Sequence, residues 1–147
     1  MNVRLLILLA VAALAGCSSD EVHSPLDFFP GGERASWSEC GKFGTPGSGI
    51  GVCAAFVTPS SSTVPTAYSI SFYLPGSSHV RLAAFDSHAT LVKVLLDQVE
   101  PGTIGAYRVP AIVWDFTDAQ GKRVPKGDYR CYFSSGDFIS FSDIEVP

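Results

Sequence analysis

Along most of the chain, apolar and polar residues alternate with a period of two. In the run 67–74, AYSISFYL, every second residue is large and apolar: Tyr68, Ile70, Phe72 and Leu74. Similar runs are HVRLAAFD at 79–86, TLVKVLLD at 90–97, YRVPAIVWD at 107–115 and DYRCYFSS at 128–135. This pattern is typical of antiparallel strands with one buried face. About seven such runs, separated by turn residues, predict a β-sandwich or barrel.

Three parts of the chain depart from simple alternation. Pro110 lies inside the run 107–115, and because proline has no amide hydrogen this run is predicted to be an edge strand or to contain a bulge. The run 138–146 holds two incompatible alternations, which a bulge or bend between them would reconcile. Residues 27–51 are glycine-rich without a clear period and are expected to pack as irregular chain against the sandwich.

The first sixteen residues have the parts of an export signal. A short positive region, Met1–Arg4, precedes the apolar run LLILLAVAAL, which is too short for a membrane span of ~20 residues. The sequence Leu14-Ala15-Gly16-Cys17 then resembles the lipobox of bacterial lipoproteins. That resemblance implies cleavage before Cys17 and attachment of acyl chains to its thiol and its new amine. The alternative is an ordinary secretory signal that contains a cysteine.

Cleavage before Cys17 defines the predicted organisation of the rest of the chain. It leaves 147 − 16 = 131 residues, enough for one domain with its own core. Residues 17–26 are mostly polar and predict a flexible tether, and residues 27–147 form the domain. The net charge of −4 becomes −5 when Arg4 is removed, and an acidic chain without a basic cluster argues against nucleic-acid binding. Ser18, the residue after the cysteine, is not aspartate. By resemblance to known lipoprotein sorting, this favours the outer membrane.

The other three cysteines are Cys40, Cys53 and Cys131. An exported protein can form disulfides, and three thiols allow one bridge with one cysteine left over. Cys40 and Cys53 flank a glycine-rich segment whose closure would contribute roughly 3 kcal/mol, so this pair is the predicted bridge. Cys131 is then expected to be a small buried apolar residue. The cysteine and histidine spacings do not match a zinc site.

The segment 113–133, VWDFTDAQGKRVPKGDYRCYF, gathers three carboxylates near two glycines. As a calcium loop it fails, because the ligand positions counted from Asp115 hold residues such as Ala119 and Lys126. The alternative is a hairpin of two strands, with a first turn around Asp118 and Gly121 and a second around Pro125 and Gly127. Trp114 is then expected to be a core residue opposite these residues of the second strand: Tyr129, Cys131 and Phe133.

The same segment resembles the FlgD Ig-like domain, the immunoglobulin-like module of the flagellar hook-capping protein, over about residues 55–146. The matching positions are Leu74-Pro75, Val80 with Leu82 and Asp86, Val92 with Leu95, Trp114-Asp115, Asp118 with Gly121, Val124-Pro125 with Gly127, and Tyr129. The family usually has glycine where this chain has Phe116, and in the turn that here reads Ser87-His88-Ala89. The resemblance implies an all-β fold, an immunoglobulin-like antiparallel β-sandwich of about seven strands after the signal helix. It implies no catalytic residue, cofactor or flagellar role.

No group of residues in the sequence matches a known catalytic constellation. The three histidines are His23 in the tether, His79 at the start of a strand and His88 in a turn, and nothing places them beside a nucleophile and a carboxylate. Three aromatic residues, Tyr73, Phe85 and Tyr132, occupy outward-facing positions, where they would form a binding surface unless another segment covers them. The expected function is therefore non-catalytic and metal-free: a lipid-anchored envelope protein with a structural or protein-interaction role. A glycan- or ligand-binding module is the alternative, and a small enzyme is a third reading.

Overall fold

A computed structural model describes residues 37–40, 49–103 and 105–147; the signal, Cys17 and the tether lie outside the described residues. The described strands are β1 (Ser38–Glu39), β2 (Gly51–Val57), β3 (Ala67–Tyr73), β4 (Ser78–Asp86), β5 (Leu91–Glu100), β6 (Ile112–Trp114), β7 (Gly127–Ser135) and β8 (Phe138–Val146). They form a first sheet of order β1-β2-β3-β6 and a second sheet of order β5-β4-β7-β8. The predicted all-β sandwich is confirmed.

The core lies between the two sheets and is built from the alternating apolar residues. All four residues predicted to share one face of β3 are buried: Tyr68, Ile70, Phe72 and Leu74. Phe72 meets Phe133 of the second sheet with 5.2 Å between ring centroids. Each fully buried side chain of this kind contributes ~1.5–3 kcal/mol relative to an exposed one. The alternation of apolar and polar residues therefore indicates both the strands and the faces through which the two sheets pack on each other.

The start of the described chain is more ordered than the sequence indicated. Within the segment expected to be irregular, β1 pairs with β2 in parallel, whereas the other strand pairs are antiparallel. Trp37 is buried in the core, and its indole nitrogen donates a hydrogen bond of 2.8 Å to Ser140 Oγ in β8. The contacts of Trp37 and the disulfide at Cys40 hold this segment against the sandwich. Neither of them produces a repeating pattern in the sequence.

The predicted bulge in the last strand is wrong. β8 pairs with β7 in one unbroken register from Phe138 opposite Ser135 to Val146 opposite Gly127. Its two alternations occupy opposite faces: Ile144 and Val146 belong to the core, whereas Phe141 is buried on the outer face, where the Arg130 guanidinium lies 3.9 Å from the centre of its ring. A strand with apolar residues on both faces needs no bulge when both faces are covered.

The segment 113–133 contains the predicted turns but not the predicted hairpin. Gly121 has φ of 78°, its amide donates to Asp118 O, and the Asp118 carboxylate accepts bonds from the amides of Gln120 and Lys122. However, β6 belongs to the first sheet and β7 to the second. Trp114 therefore lies opposite Tyr129 across the core, with 5.6 Å between their rings, rather than beside it in one sheet. Crossing between the sheets lets both rings be buried.

Tyr129 fixes the entrance of β7. Its hydroxyl donates a hydrogen bond of 2.8 Å to the carbonyl of Pro125, four residues upstream. A tyrosine near the start of a strand that bonds back to the preceding corner is the tyrosine corner of immunoglobulin-like sandwiches. Pro125 and Gly127 are therefore used in the corner, as their turn-forming character predicts, and Gly127 is the first residue of β7.

The sequence predicted that the run around Pro110 is an edge strand or contains a bulge. The edge strand is confirmed. Among the described strands β6 pairs with β3 alone, so it is an edge strand of the first sheet. Pro110 itself lies just before β6, outside the ladder. The missing amide hydrogen of proline therefore leaves no gap in the hydrogen bonding of the sheet.

Two residues without glycine's freedom adopt left-handed backbone conformations. Phe116 has φ of 56° and Ala89 has φ of 61°. Phe116 follows Trp114-Asp115, and Ala89 ends the turn Ser87-His88-Ala89. Phe116 is fully buried against Trp114 at 5.4 Å, which offsets its backbone strain. Ala89 has only a methyl group to bury, so its strain is not offset in the same way.

We expect Ala89→Gly to raise the free energy of unfolding by about 1 kcal/mol, because glycine adopts positive φ without the steric cost that alanine has. Urea unfolding followed by tryptophan fluorescence measures this change. Ala119→Gly is the matched control: Ala119 is an exposed turn residue without positive φ, so glycine there lowers stability by about 0.5 kcal/mol. A destabilised Ala89→Gly variant would contradict the strain at this turn.

Candidate functional site

A row of side chains crosses the outer face of the second sheet. Directly opposed residues of neighbouring strands share a face, and the register places Val94 opposite Ala83, Ala83 opposite Tyr132, and Tyr132 opposite Phe141. Ala83 has the opposite parity to the core residue Leu82, so the row faces away from the first sheet. The row therefore spans β5, β4, β7 and β8.

A second pair of apolar residues widens this row. Phe85 lies opposite Leu91, and its ring meets the Tyr132 ring edge to face, at 6.3 Å and 81°. We refer to the following six residues as the outer apolar band: Ala83, Phe85, Leu91, Val94, Tyr132 and Phe141. Ala83 and Phe141 are almost fully buried, whereas Val94 and Leu91 remain 40% and 46% exposed. The band is thus a partly solvated apolar surface on the outer face of the second sheet.

The aromatic residues predicted to point outward are only partly brought together. Phe85 and Tyr132 are neighbours in the band. Tyr73 lies opposite Gly51 in the first sheet, on the other side of the sandwich. Burial raises the pKa of the Tyr132 hydroxyl, and the nearby charge of Arg81 acts in the opposite direction.

Sequence alternation missed the members of the band on β5. The register of β4 with β5 skips Val92 and Leu95, so β5 carries two bulges. The bulges place Leu91 and Val94 on the outer face with a spacing of three rather than two. The sequence contains no indication of this spacing, because the apolar run 91–96 is interrupted only by Lys93. Asp97 and Val99 lie further along β5 on the same outer face.

Charged side chains border the band on both sides. On one side Asp97 accepts from Arg81 at 3.0 Å and lies 3.1 Å from His79 Nε2. On the other side Arg130 makes a two-point contact with Asp143, with Nη2 to Oδ2 at 2.8 Å. A pair in which two guanidinium nitrogens donate to both carboxylate oxygens is held in one geometry. These charged side chains therefore lie along two borders of the band, and Val99 lies beyond the Asp97 border.

An acidic groove of about 390 Å³ continues from the Arg130 border to the end of the sheet. It is lined by Asp86, Ser87, Asp128, Tyr129, Arg130, Asp143, Ile144 and Glu145. Asp128 and Glu145 lie directly opposite each other on β7 and β8. Neither forms an ion pair with another of the described residues. Like charges in this position destabilise a sheet, so the groove is a local concentration of uncompensated negative charge.

The three carboxylates of the segment 113–133 lie in separate surroundings. Asp115 Oδ1 accepts from the Thr117 hydroxyl at 2.6 Å and from Lys93 Nζ at 3.3 Å, and these contacts lower the pKa of Asp115. Asp118 holds its own turn, and Asp128 lies in the acidic groove. Within 37–40, 49–103 and 105–147, no three histidine, cysteine or acidic side chains come close enough to hold a metal ion.

A buried ion pair orders the opposite end of the sandwich. Arg108 Nε donates to Glu100 Oε2 at 2.9 Å, Gln98 donates to the other oxygen at 2.6 Å, and the hydrogen bond from Arg108 lowers the pKa of Glu100. The amide of Arg108 also donates to Phe72 O, and its carbonyl accepts from Ser71 Oγ. These contacts hold the connection between β5 and β6 against the first sheet. The ion pair of Arg108 and Glu100 therefore has a structural role.

The predicted disulfide is confirmed. Cys40 and Cys53 are bonded, with their Cα atoms 5.0 Å apart, and the bond joins the end of β1 to β2. Cys131 is a free, buried thiol, as predicted, and burial raises its pKa far above the ordinary value. Structural disulfides form in oxidising compartments. The bond therefore indicates an extracytoplasmic location. No helix in the described part of the chain has the length and apolar character needed to cross a membrane.

Comparison with known proteins gives a distant structural likeness. No protein-family model and no curated protein match the sequence. Among solved structures, the chain is similar to the dimeric latent PorU from Porphyromonas gingivalis, with 20% sequence identity and a TM-score of 0.43. The similarity covers 65% of this chain and 9% of the PorU chain, so the chain spans less than a tenth of that protein.

Proposed function

We propose that this protein is a lipid-anchored, non-catalytic component of the cell envelope that binds another envelope protein through the outer apolar band. The observation that carries the proposal is the row of side chains from Val94 to Phe141, which crosses four strands and leaves Val94 40% exposed. Contiguous apolar surface bordered by charged residues is typical of an interaction site. The function of the sandwich is then to present this surface at a distance from the membrane.

Two features support the lipid anchor. The sequence Leu14-Ala15-Gly16-Cys17 resembles a lipobox, with Cys17 as the lipidated residue. The disulfide agrees with export. Two or three acyl chains on Cys17 would anchor the chain stably, whereas one chain binds only marginally. Residues 17–26 would act as the tether, and Ser18 favours the outer membrane.

The resemblance to the FlgD Ig-like domain has support beyond the sequence pattern. The family usually has glycine at the position of Phe116 and within the turn Ser87-His88-Ala89, and in this chain Phe116 and Ala89 both have the positive φ that glycine favours. These backbone conformations agree with the glycines that the resemblance leads one to expect. A domain of this kind is a spacer or interaction module, which fits the proposed role.

The arrangement of the histidines and aromatic rings favours a protein partner over an enzyme or a glycan site. His79 contacts Asp97 on the open surface, and His88 lies in an exposed turn next to Ser87. Phe85 and Tyr132 meet edge to face, so the two rings do not lie in one plane and do not form a flat aromatic platform for a sugar. A protein segment tolerates this arrangement because it contacts side chains of many orientations.

We expect Cys17→Ala to move the protein from the membrane fraction to the soluble envelope fraction, because the variant lacks the thiol that receives the lipid. Cell fractionation with immunoblotting measures the distribution. Cys131→Ala is the matched control, since it removes a different thiol and should leave the protein with the membrane. A Cys17→Ala protein that still sediments with the membrane would refute the anchor.

The same membrane extracts test the interaction role. In a mild detergent, the wild-type chain should elute from a sizing column together with a second envelope protein. Elution only as the free lipoprotein in detergent would contradict a binding role. Elution together with a glycan and no protein would favour the glycan-binding alternative instead.

A further inference from the structure

The groove and the band together indicate the chemistry of the partner, on the assumption that the proposed function holds. We infer that the outer face of the second sheet binds an extended protein segment that places apolar side chains on the band and a lysine or arginine in the acidic groove. The partner is therefore both apolar and basic. Its basic residue is at a defined distance from its apolar residues.

The groove supplies the preference for a basic residue. Four acidic residues line it, Asp86, Asp128, Asp143 and Glu145, against the single arginine Arg130. Arg130 already donates to both carboxylate oxygens of Asp143, through Nε and Nη2. The repulsion between Asp128 and Glu145 is therefore left for a ligand to relieve. A cation on a flexible side chain would be attracted there, and complementary charge determines specificity and the rate of association.

The band and the groove form one continuous surface. Arg130 lines the groove and lies opposite Phe85, a member of the band. Asp86, which also lines the groove, follows Phe85 in β4. Along β7 the distance from Tyr132 in the band to Asp128 in the groove is four residues, or roughly 13 Å in a strand. An extended ligand lying along β7 would thus carry its basic residue about four positions from an apolar one.

The same charges argue against two other occupants of this face. Anionic lipid headgroups would be repelled by the carboxylates of the groove, so the face is not suited to lie on a bacterial membrane surface. Two copies of this chain would repel each other through their net charge, because the chain after cleavage carries −5, which is the −4 of the full sequence less Arg4. A separate protein with a basic, apolar segment fits both parts of the surface.

Photo-cross-linking in intact cells tests this inference on the lipid-anchored protein. The photoreactive residue p-benzoylphenylalanine replaces Val94 in the band or, as a control, Val113, which is 54% exposed on the outer face of the first sheet. Each is combined with Glu145→Lys in the groove or with Asp137→Lys. Asp137 is an exposed residue in the turn at the other end of β7 and β8, so both substitutions change the charge equally.

The inference requires three results together. Position 94 forms an adduct with another protein, and mass spectrometry places the cross-link in a segment with a lysine or arginine about four residues from an apolar residue. Glu145→Lys lowers the yield of that adduct about fivefold, and Asp137→Lys leaves it unchanged. Position 113 gives no such adduct. All variants keep the wild-type midpoint of thermal unfolding, which shows that they are folded.

Other results overturn the inference. These are an adduct of two copies of this chain, an adduct with lipid, an adduct insensitive to Glu145→Lys, or no adduct at position 94. A protein adduct at position 113 alone would overturn the inference and the outer apolar band as the binding surface, and would leave only a general role in protein interaction standing. Membrane attachment that survives Cys17→Ala would instead remove the anchor from the proposed function without changing the cross-linking result.

Discussion

Trp114→Ala should lower the free energy of unfolding by about 3–5 kcal/mol, the range for removing a large aromatic side chain from a core. Trp114 is fully buried, its ring contacts Phe116 and Tyr129 at 5.4 and 5.6 Å, and its indole nitrogen donates to Thr117 O at 2.9 Å. The substitution removes these contacts and leaves a cavity between the sheets. Urea unfolding monitored by far-ultraviolet circular dichroism measures the loss.

The neighbouring residue provides the control for this prediction. Val113 is on the same strand but points to the outer face and is 54% exposed, so Val113→Ala should change stability by no more than about 0.5 kcal/mol. Trp114→Phe should fall between the two variants, because it keeps an aromatic ring and loses the hydrogen bond to Thr117. A loss of less than about 1 kcal/mol for Trp114→Ala would contradict its position at the centre of the core.

Removing the disulfide should have the second largest effect. The double variant Cys40→Ser/Cys53→Ser is expected to lose about 3 kcal/mol of unfolding free energy, because the bond closes a short loop that the unfolded chain would otherwise sample freely. The sequence separation of the two cysteines is 13 residues. Urea unfolding of the double variant and of the oxidised wild type provides the comparison.

Reduction separates the bond itself from the side effects of substitution. Wild type treated with dithiothreitol should unfold near the urea concentration of the double variant, and the double variant should not respond to the reductant. Cys131 remains in both proteins and is buried, so it does not account for a difference between them. A wild type whose stability is unchanged by reduction would contradict the prediction.

Much of the fold could be predicted because its causes are local. Alternation in the run 67–74 identified β3 and its buried face. Asp118 and Gly121 form the turn that their residue types favour, since the carboxylate accepts nearby amide hydrogens and glycine adopts positive φ without strain. The pairing of Cys40 with Cys53 also followed from proximity in the chain.

The candidate site could be predicted only in part. Phe85 and Tyr132 were expected to face outward, and they meet in the band. Their neighbours Val94 and Leu91 could not be assigned to it, because the bulges in β5 change the spacing of outward residues. The groove could not be predicted either. Asp86 and Glu145 are far apart in the sequence, and they line the same groove only when β4, β7 and β8 are aligned.

The sequence by itself determined most of the strands, the buried face of β3, the turns and the disulfide, each set by interactions between residues close together in the chain. The tertiary structure decided the rest. It placed β6 and β7 in different sheets, covered Phe141 on the outer face of β8, and joined four strands into one apolar band beside an acidic groove. The physical reason is that pairing between distant strands is selected by how well the whole core packs, and no short stretch of sequence contains that information.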